Sequence, residues 1–128
     1  MNTPLKIEVV EDNGLVVVKL GGEVGLAVSN LDYEFTKITV TRPSVIILDM
    51  REVTFVSSLG MALFVNLRNT IRRRDGRMFE FGAPAKVMDA FHRAKLDGLF
   101  EVRGSLAEAL ESAGRPMPAA LVGDSEKA

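Results

Sequence analysis

The chain has 128 residues, of which 47% are hydrophobic and 26% are charged, and its formal net charge is −1. This length suits one domain with a single core, and the near-neutral charge predicts no direct contact with nucleic acid and no attraction to an anionic membrane. Cysteine is absent, which excludes a disulfide, a thiolate metal site and a cysteine nucleophile. Neither a signal peptide nor an apolar run of about 20 residues is visible, so we expect a cytoplasmic protein without membrane insertion.

The first pattern along the chain is typical of a β-hairpin. Residues 6–10 alternate polar and apolar side chains, as in a half-buried strand. Residues 12–14 (Asp-Asn-Gly) have the chemistry of a tight turn, and residues 15–20 predict the second strand. We expect this strand to end at the two glycines that follow it.

An amphipathic helix and a buried strand come next. Apolar residues at spacings of three and four predict the helix, either with a capping box of Ser29 and Asp32 near its start or with a start one turn earlier. Its stripe consists of Val28, Leu31, Phe35 and Ile38. Residues 45–48 form a continuous apolar run, which is typical of a strand covered on both faces. A second short apolar segment, residues 53–56, leads into a pair of serines.

The second half of the chain alternates helices and strands. From Gly60 onward, the spacing of Leu63, Leu67 and Ile71 predicts a helix that a run of arginines closes. Residues 78–81 then predict a strand.

The last predicted elements are two helices and a short strand between them. Pro84 suits the first turn of a helix, and residues 99–102 predict the strand. Ser105 and Glu108 form a capping box for the final helix, which Gly114 ends.

The order β-β-α-β-α-β-α-β-α predicts an α/β fold. We expect a mixed sheet of about five strands packed against about four helices. One domain over residues 1–114 should be followed by a flexible C-terminal tail over residues 115–128.

The pair Ser57 and Ser58, at the start of the second helix, is the most informative feature. The first turn of a helix leaves backbone N–H groups unpaired, and the helix dipole makes that end positive. A hydroxyl there can cap the helix, or it can carry a phosphate that these N–H groups would bind. Gly60 keeps the first turn free of bulk, so that another protein could approach Ser58 closely. Spacing alone favours simple capping.

Three separated segments resemble the STAS domain, the family of anti-sigma factor antagonists and of the cytoplasmic domains of sulphate transporters. Residues 45–61 (VIILDMREVTFVSSLGM) resemble its hydrophobic strand, Asp-Leu, Val-x-Phe-Ile and Asp-Ser-Ser-Gly-Leu-Gly pattern. Residues 20–25 (LGGEVG) resemble its Leu-x-Gly-Glu-Leu-Asp segment, and residues 96–102 (LDGLFEV) resemble its Gly-Leu-x-x-Leu-Phe-x-Val segment. The resemblance implies the STAS fold over most of the chain.

The resemblance also implies a function. Ser58 falls on the serine that partner kinases phosphorylate in family antagonists, with Ser57 as the secondary candidate. The unphosphorylated antagonist binds an anti-sigma factor, a serine kinase of the GHKL-like type, and phosphorylation separates the pair. This implies regulation of transcription by partner switching, with no catalytic, metal or cofactor site. The implied partner-binding residues are Glu23, Val24, Gly25, Leu26, Ser57, Ser58, Leu59, Gly60 and Met61.

Three positions depart from the family pattern. Ser57 and Gly25 stand where acids are expected, and Leu59 replaces a small residue, which enlarges the apolar surface beside the serine. These departures keep a second hypothesis open, namely a constitutive STAS scaffold or regulatory subunit of a membrane transport or stress-signalling complex. A third hypothesis is a small ligand-binding or enzymatic domain, because loops at sheet ends of α/β folds bind ligands. The sequence shows no convergent catalytic groups that would support this third hypothesis.

Other candidate features have simpler interpretations. His92, the single histidine, predicts a surface or partly packed side chain rather than a catalyst. A cluster of arginines could contact phosphate or an acidic partner, but a solvated helix end that complements the dipole is preferred. The cluster comprises Arg68, Arg72, Arg73, Arg74 and Arg77.

Overall fold

The computed structural model describes residues 3–25 and 28–122, which form five β-strands, four α-helices and one 3₁₀ helix. The strands are β1 (Lys6–Asp12), β2 (Leu15–Val24), β3 (Val45–Val56), β4 (Arg77–Phe81) and β5 (Glu101–Arg103). The helices are α1 (Val28–Val40), α2 (Ser58–Arg73), α3 (Ala85–Arg93), α4 (Leu106–Ala113) and the 3₁₀ helix η1 (Ala119–Leu121). The predicted α/β class and order of elements are confirmed.

The strands lie in the sheet in the order in which they occur along the chain. β1 and β2 form the antiparallel hairpin, and every later neighbouring pair is parallel. Right-handed crossovers that advance in one direction place their connecting helices on the same side of a sheet. Accordingly α1, α2 and α3 contribute to the core on one face, and α4 covers the other face.

The face under α1, α2 and α3 contains the larger core, with Phe64 at its centre. The Phe64 ring is fully buried, and its centroid lies 5.7 Å from that of Phe35, 5.8 Å from that of Phe91 and 5.8 Å from that of Phe100. Tilted and edge-on ring pairs of this kind contribute about 0.5–1.5 kcal/mol each beyond area burial. The four rings therefore hold the three helices and the segment before β5 together.

α4 begins with the capping box that the sequence predicts. The Ser105 hydroxyl accepts a hydrogen bond from the backbone N–H of Glu108 at 3.2 Å, and the Glu108 carboxylate accepts one from the N–H of Gly104 at 2.7 Å. Gly114 ends the helix in the left-handed conformation, with φ of 69°.

The segment after α4 packs on the same face of the sheet. Leu121 of η1 is buried in the second core cluster, and the Arg115 guanidinium donates hydrogen bonds to the Asn13 carbonyl at 2.7 Å and to the Ser44 hydroxyl at 2.8 Å. The sequence predicted a flexible tail from residue 115, whereas residues 115–122 are held by these contacts. Residues 123–128 lie outside the described residues.

β2 and β3 are longer than their sequence patterns predict. β2 continues through its two glycines to Val24, because Gly22 adopts a φ of 78° at a point where a Cβ would overlap the Pro4 carbonyl. β3 is unbroken, and two register shifts against β2 each insert one extra residue into it. Each such bulge changes which side chains face the core, so one strand resembles two apolar segments in the sequence.

Two helix details also differ from the sequence predictions. α1 begins at Val28, so Ser29 lies inside the helix rather than before it, and the predicted capping box with Asp32 is wrong. In α2 the buried stripe starts at Gly60 and continues through Phe64, whereas Leu63 is only partly buried. A stripe that begins at Gly60 reaches position 64 one turn later, because side chains four residues apart share a helix face.

Candidate protein-binding site

The candidate site lies where β2 and β3 end and α2 begins. The backbone N–H of Ser57 donates a hydrogen bond to the Val24 carbonyl at 2.7 Å, which joins the ends of the two strands. The first turn of α2 faces this junction and contains no acidic residue. The positive end of the helix dipole is therefore not offset by a carboxylate in that turn.

Ser57 is the N-cap residue of α2. Its backbone is extended, with φ of −79° and ψ of 168°, and its hydroxyl accepts a hydrogen bond from the N–H of Gly60 at 3.1 Å. The same hydroxyl donates to the carbonyl of Gly25 at 3.3 Å. Ser57 therefore uses its hydroxyl to fix the start of α2 against the end of β2.

Ser58 is the first residue of α2 and is exposed. Its hydroxyl makes no hydrogen bond with the rest of the described chain, in contrast to that of Ser57. Capping and availability for modification were alternatives for the serine pair in the sequence. The structure assigns capping to Ser57 and leaves the Ser58 hydroxyl accessible.

Gly60 and Val24 pack against each other beneath this surface. A Cβ on Gly60 would lie 2.7 Å from the Val24 Cγ1 atom and 2.9 Å from the Val24 carbonyl oxygen. Val24 itself is 0% exposed. Gly60 thus allows α2 to approach β2 closely, and its role in giving a partner access to Ser58 stays a prediction. Both residues support the site from below.

Two large apolar side chains flank Ser58 on the surface. Leu59 is 62% exposed and Phe55 is 49% exposed. Phe55 pairs with Glu23 in the β2–β3 ladder, and its ring lies 3.8 Å from where a Cβ of Gly25 would be. The described surface of the site is therefore an apolar patch next to a free hydroxyl.

Phe55 is the site residue that sequence analysis missed. The register shift near Glu23 leaves Thr54 and Phe55 both exposed between two buried valines, whereas strict alternation would expose only one of them. Of the remaining predicted residues, Met61 is partly buried against the core. Leu26 lies outside the described residues.

Neither a metal site nor a membrane-spanning helix is found in the part of the chain that the structure describes. No group of three or more His, Asp or Glu side chains is placed to hold a metal ion within residues 3–25 and 28–122. In the same residues, no helix combines the length and the apolar character needed to span a bilayer.

Three features together define the STAS class of domain. They are a mixed sheet that begins with a hairpin, three helices on one face of the sheet, and a helix that begins at a pair of serines where two strands end. The family model of the STAS domain matches residues 6–109 of this chain. The chain therefore belongs to the STAS domain family.

Individual relatives are distant in sequence and close in fold. The anti-sigma-F factor antagonist RsfB of Mycobacterium tuberculosis is 24% identical over 110 residues, which cover 83% of this chain and 87% of RsfB. An anti-sigma factor antagonist from Mycobacterium paratuberculosis superposes with a TM-score of 0.75 at 19% identity, covering 88% of this chain and 97% of that one. The antagonist SpoIIAA in its unphosphorylated form gives 0.72 at 18% identity, covering 89% and 100%. At these identities the structural matches establish the fold alone.

Proposed function

We propose that this protein is a cytoplasmic anti-sigma factor antagonist that binds a GHKL-like anti-sigma kinase and is released when Ser58 is phosphorylated. The observation that carries the proposal is the accessible Ser58 hydroxyl, which the capping role of Ser57 leaves free beside an apolar patch. The family and the antagonist relatives support the choice of partner.

The apolar patch supplies the contact area for a partner. Full burial of a Leu or Phe side chain stabilises an interface by about 1.5–3 kcal/mol, and aromatic anchors are common binding hot spots. Leu59 is 62% exposed and Phe55 is 49% exposed, so about half of this gain or somewhat more is available on binding. Function by contact requires no catalytic group.

Phosphorylation of Ser58 would alter this contact through charge. A phosphoserine carries close to two negative charges at neutral pH, and an apolar interface disfavours such a group. In the free protein the phosphate would lie at the positive end of α2, where no acidic residue of the first turn repels it. The modified protein is thus stable alone and weakened as a binding partner.

The test mixes the protein with a kinase-type anti-sigma factor of the same genome and ATP, followed by mass spectrometry to map phosphate. We expect phosphate on Ser58, none on Ser58→Ala, and binding weakened at least about tenfold by Ser58→Asp. Ser57→Ala is the matched control, because it removes the neighbouring hydroxyl and should still be phosphorylated. Phosphate confined to another residue, with equal binding by wild type and Ser58→Asp, would overturn the switch.

A constitutive scaffold is the second candidate, and the residues at positions 25 and 57 favour it. Gly25 and Ser57 replace the acids that the family pattern has near the phosphorylated serine. On this hypothesis Leu59→Ser abolishes partner binding, whereas Ser58→Asp and incubation with kinase leave it unchanged. Partner capture by the wild type, Leu59→Ser and Ser58→Asp, measured side by side, distinguishes the two functions.

A further inference from the structure

α2 has a second surface feature at its opposite end. A cleft of about 220 Å³ lies between the last turns of α2, the start of β4 and the segment that leads into β5. Fourteen residues separate Ser58 from Arg72, and a rise of 1.5 Å per residue places the cleft about 20 Å from the candidate site. The cleft and the partner-binding surface are therefore separate.

The cleft carries a local positive charge. Arg68, Arg72 and Arg77 line it together with one carboxylate, that of Glu101, so the lining has a net charge of +2 in a chain of net charge −1. The Arg77 guanidinium contacts Glu101 through two hydrogen bonds of 2.8 and 2.6 Å, which neutralise this arginine. The surplus charge therefore belongs to the other two arginines.

Arg68 and Arg72 have no carboxylate partner among the described residues. The single side-chain hydrogen bond of Arg68 is one of 3.4 Å to the Asn69 side chain, and Arg72 has none. Four residues apart on a helix, their Cβ atoms are about 6 Å from each other on one face. Two guanidinium groups at that spacing can converge on one tetrahedral anion.

The neighbouring arginines are used differently and lie outside the cleft. The Arg73 guanidinium donates to the Thr70 hydroxyl at 3.3 Å, and that of Arg74 donates to the Thr39 carbonyl at 2.6 Å. The arginine run that the sequence treated as one solvated helix end therefore divides into two groups with different surroundings. Arg73 and Arg74 provide controls of the same charge on the same helix end.

Apolar and small residues form the rest of the cleft. The edges of three core side chains, those of Met78, Leu99 and Phe100, form a narrow apolar wall, because these residues are only 4–8% exposed. Gly98 lies at a point where an added Cβ would meet no atom within 4 Å. A ligand could therefore place an anionic head on the arginines and a small apolar body against the wall.

We infer that this cleft binds a small phosphate monoester, with the phosphate held by Arg68 and Arg72 and the organic group against Phe100. The inference is independent of the proposed partner switch, because no residue of the cleft belongs to that site. The ligand requires a dianionic head for the two guanidinium groups and an organic part small enough for a cleft of about 220 Å³.

The test is an amide NMR titration of the full chain with phenyl phosphate and, separately, with inorganic phosphate. We expect phenyl phosphate to shift the signals of Gly76 and Gly98 with a dissociation constant of about 1 mM, and inorganic phosphate to bind several-fold more weakly. The double variant Arg68→Gln/Arg72→Gln should lose at least about tenfold in affinity. The double variant Arg73→Gln/Arg74→Gln, with the same change in charge, should bind as the wild type does.

Three outcomes would overturn the inference. The first is the absence of shifts at Gly76 and Gly98 at 20-fold the expected dissociation constant, about 20 mM. The second is an equal loss of affinity in both double variants, which indicates nonspecific attraction by net charge. The third is equal affinity for phenyl phosphate and inorganic phosphate, which excludes a role for the apolar wall. Phosphorylation at Ser58 affects none of these readouts.

Discussion

At the start of α2, two adjacent serines perform different tasks because the helix boundary falls between them. Ser57 precedes the first helical residue, so its hydroxyl can reach the N–H of Gly60. Ser58 is already helical and exposed, and its hydroxyl makes no hydrogen bond with the described part of the chain. A shift of the boundary by a single residue would exchange these roles.

This division of roles predicts unequal costs of removing each hydroxyl. Ser57→Ala should lower the free energy of unfolding by about 1 kcal/mol, because it removes the helix cap and the bond to Gly25. Ser58→Ala should change it by less than about 0.5 kcal/mol, as is usual for an exposed position. Urea denaturation of the two variants checks the difference. Equal costs would contradict the assignment of the cap to Ser57.

The close packing of Gly60 against Val24 leads to a second prediction at the residue scale, on the stability of the protein. Gly60→Ala should destabilise the protein by about 1–3 kcal/mol, because the new methyl group would lie 2.7 Å from a Val24 methyl group and 2.9 Å from its carbonyl oxygen. In an ordinary helix the same change stabilises by up to about 1 kcal/mol, so the sign is diagnostic. Gly25→Ala is the control, since the nearest atoms to its new methyl lie at 3.8 Å. Thermal unfolding that ranks Gly60→Ala at or above wild type would refute close packing of α2 on β2.

At the scale of elements, the turn between α3 and β5 is closed by an ion pair. The Nδ1 atom of His92, in the last turn of α3, lies 2.7 Å from the Asp97 carboxylate. The hydrogen bond and charge of Asp97 raise the pKa of His92 above its usual value, with a smaller contribution from Asp89. Both side chains are exposed, so this is a local closure of the turn.

The pair predicts a measurable titration. Because the folded pKa of His92 lies above the unfolded value of about 6.5, the pair contributes fully below that value, and the contribution is lost as pH rises through the folded pKa. Ring NMR signals of this single histidine report the pKa directly. Asp97→Asn should lower it clearly, and the matched Asp89→Asn should lower it less. An unchanged pKa in Asp97→Asn would show that the pair does not form in solution.

For β3, the sequence predicted the correct type of element but the wrong extent. Its two bulges against β2 make the sequence look like two short strands, and they also expose Phe55 beside the serine pair. A bulge depends on the partner strand, so a pattern read along one strand does not contain it.

At the scale of the whole molecule, the sheet buries two carboxylates, that of Asp49, which pairs with Arg51, and that of Glu80. Glu80 of β4 is 1% exposed; one of its oxygens accepts a hydrogen bond from the N–H of Ala83 at 2.9 Å, and the other oxygen has no partner in the described part of the chain. Burial raises the pKa of Glu80, only partly offset by the bond from Ala83. An ionised Glu80 therefore works against folding.

This carboxylate predicts a pH dependence of global stability. Since the folded pKa of Glu80 lies above the unfolded value of about 4.3, its contribution to stability falls as pH rises from that value through the folded pKa. The difference in unfolding free energy between Glu80→Gln and wild type should thus move in favour of the variant over this window. Glu101→Gln should show the opposite trend at low pH, because Arg77 lowers the pKa of Glu101. Urea unfolding from pH 2.5 to 8 measures both, because the window of Glu101 lies below its unfolded pKa. Parallel curves of Glu80→Gln and wild type would contradict a buried, ionisable Glu80.

The sequence by itself determined the class of fold, the order of its nine predicted elements, the capping box of α4 and the location of the serine pair. Periodicity, turn chemistry and helix caps are local, and three segments with the family pattern agreed with them. Tertiary structure decided which serine caps α2, that Gly60 packs against Val24, that Phe55 is exposed and that residues 115–122 lie on the sheet. It also separated Arg68 and Arg72 from Arg73 and Arg74. The Ser57–Gly60 cap is local, but the contacts of Ser57 with Val24 and Gly25 and all the other features depend on residues distant along the chain, which no local pattern specifies.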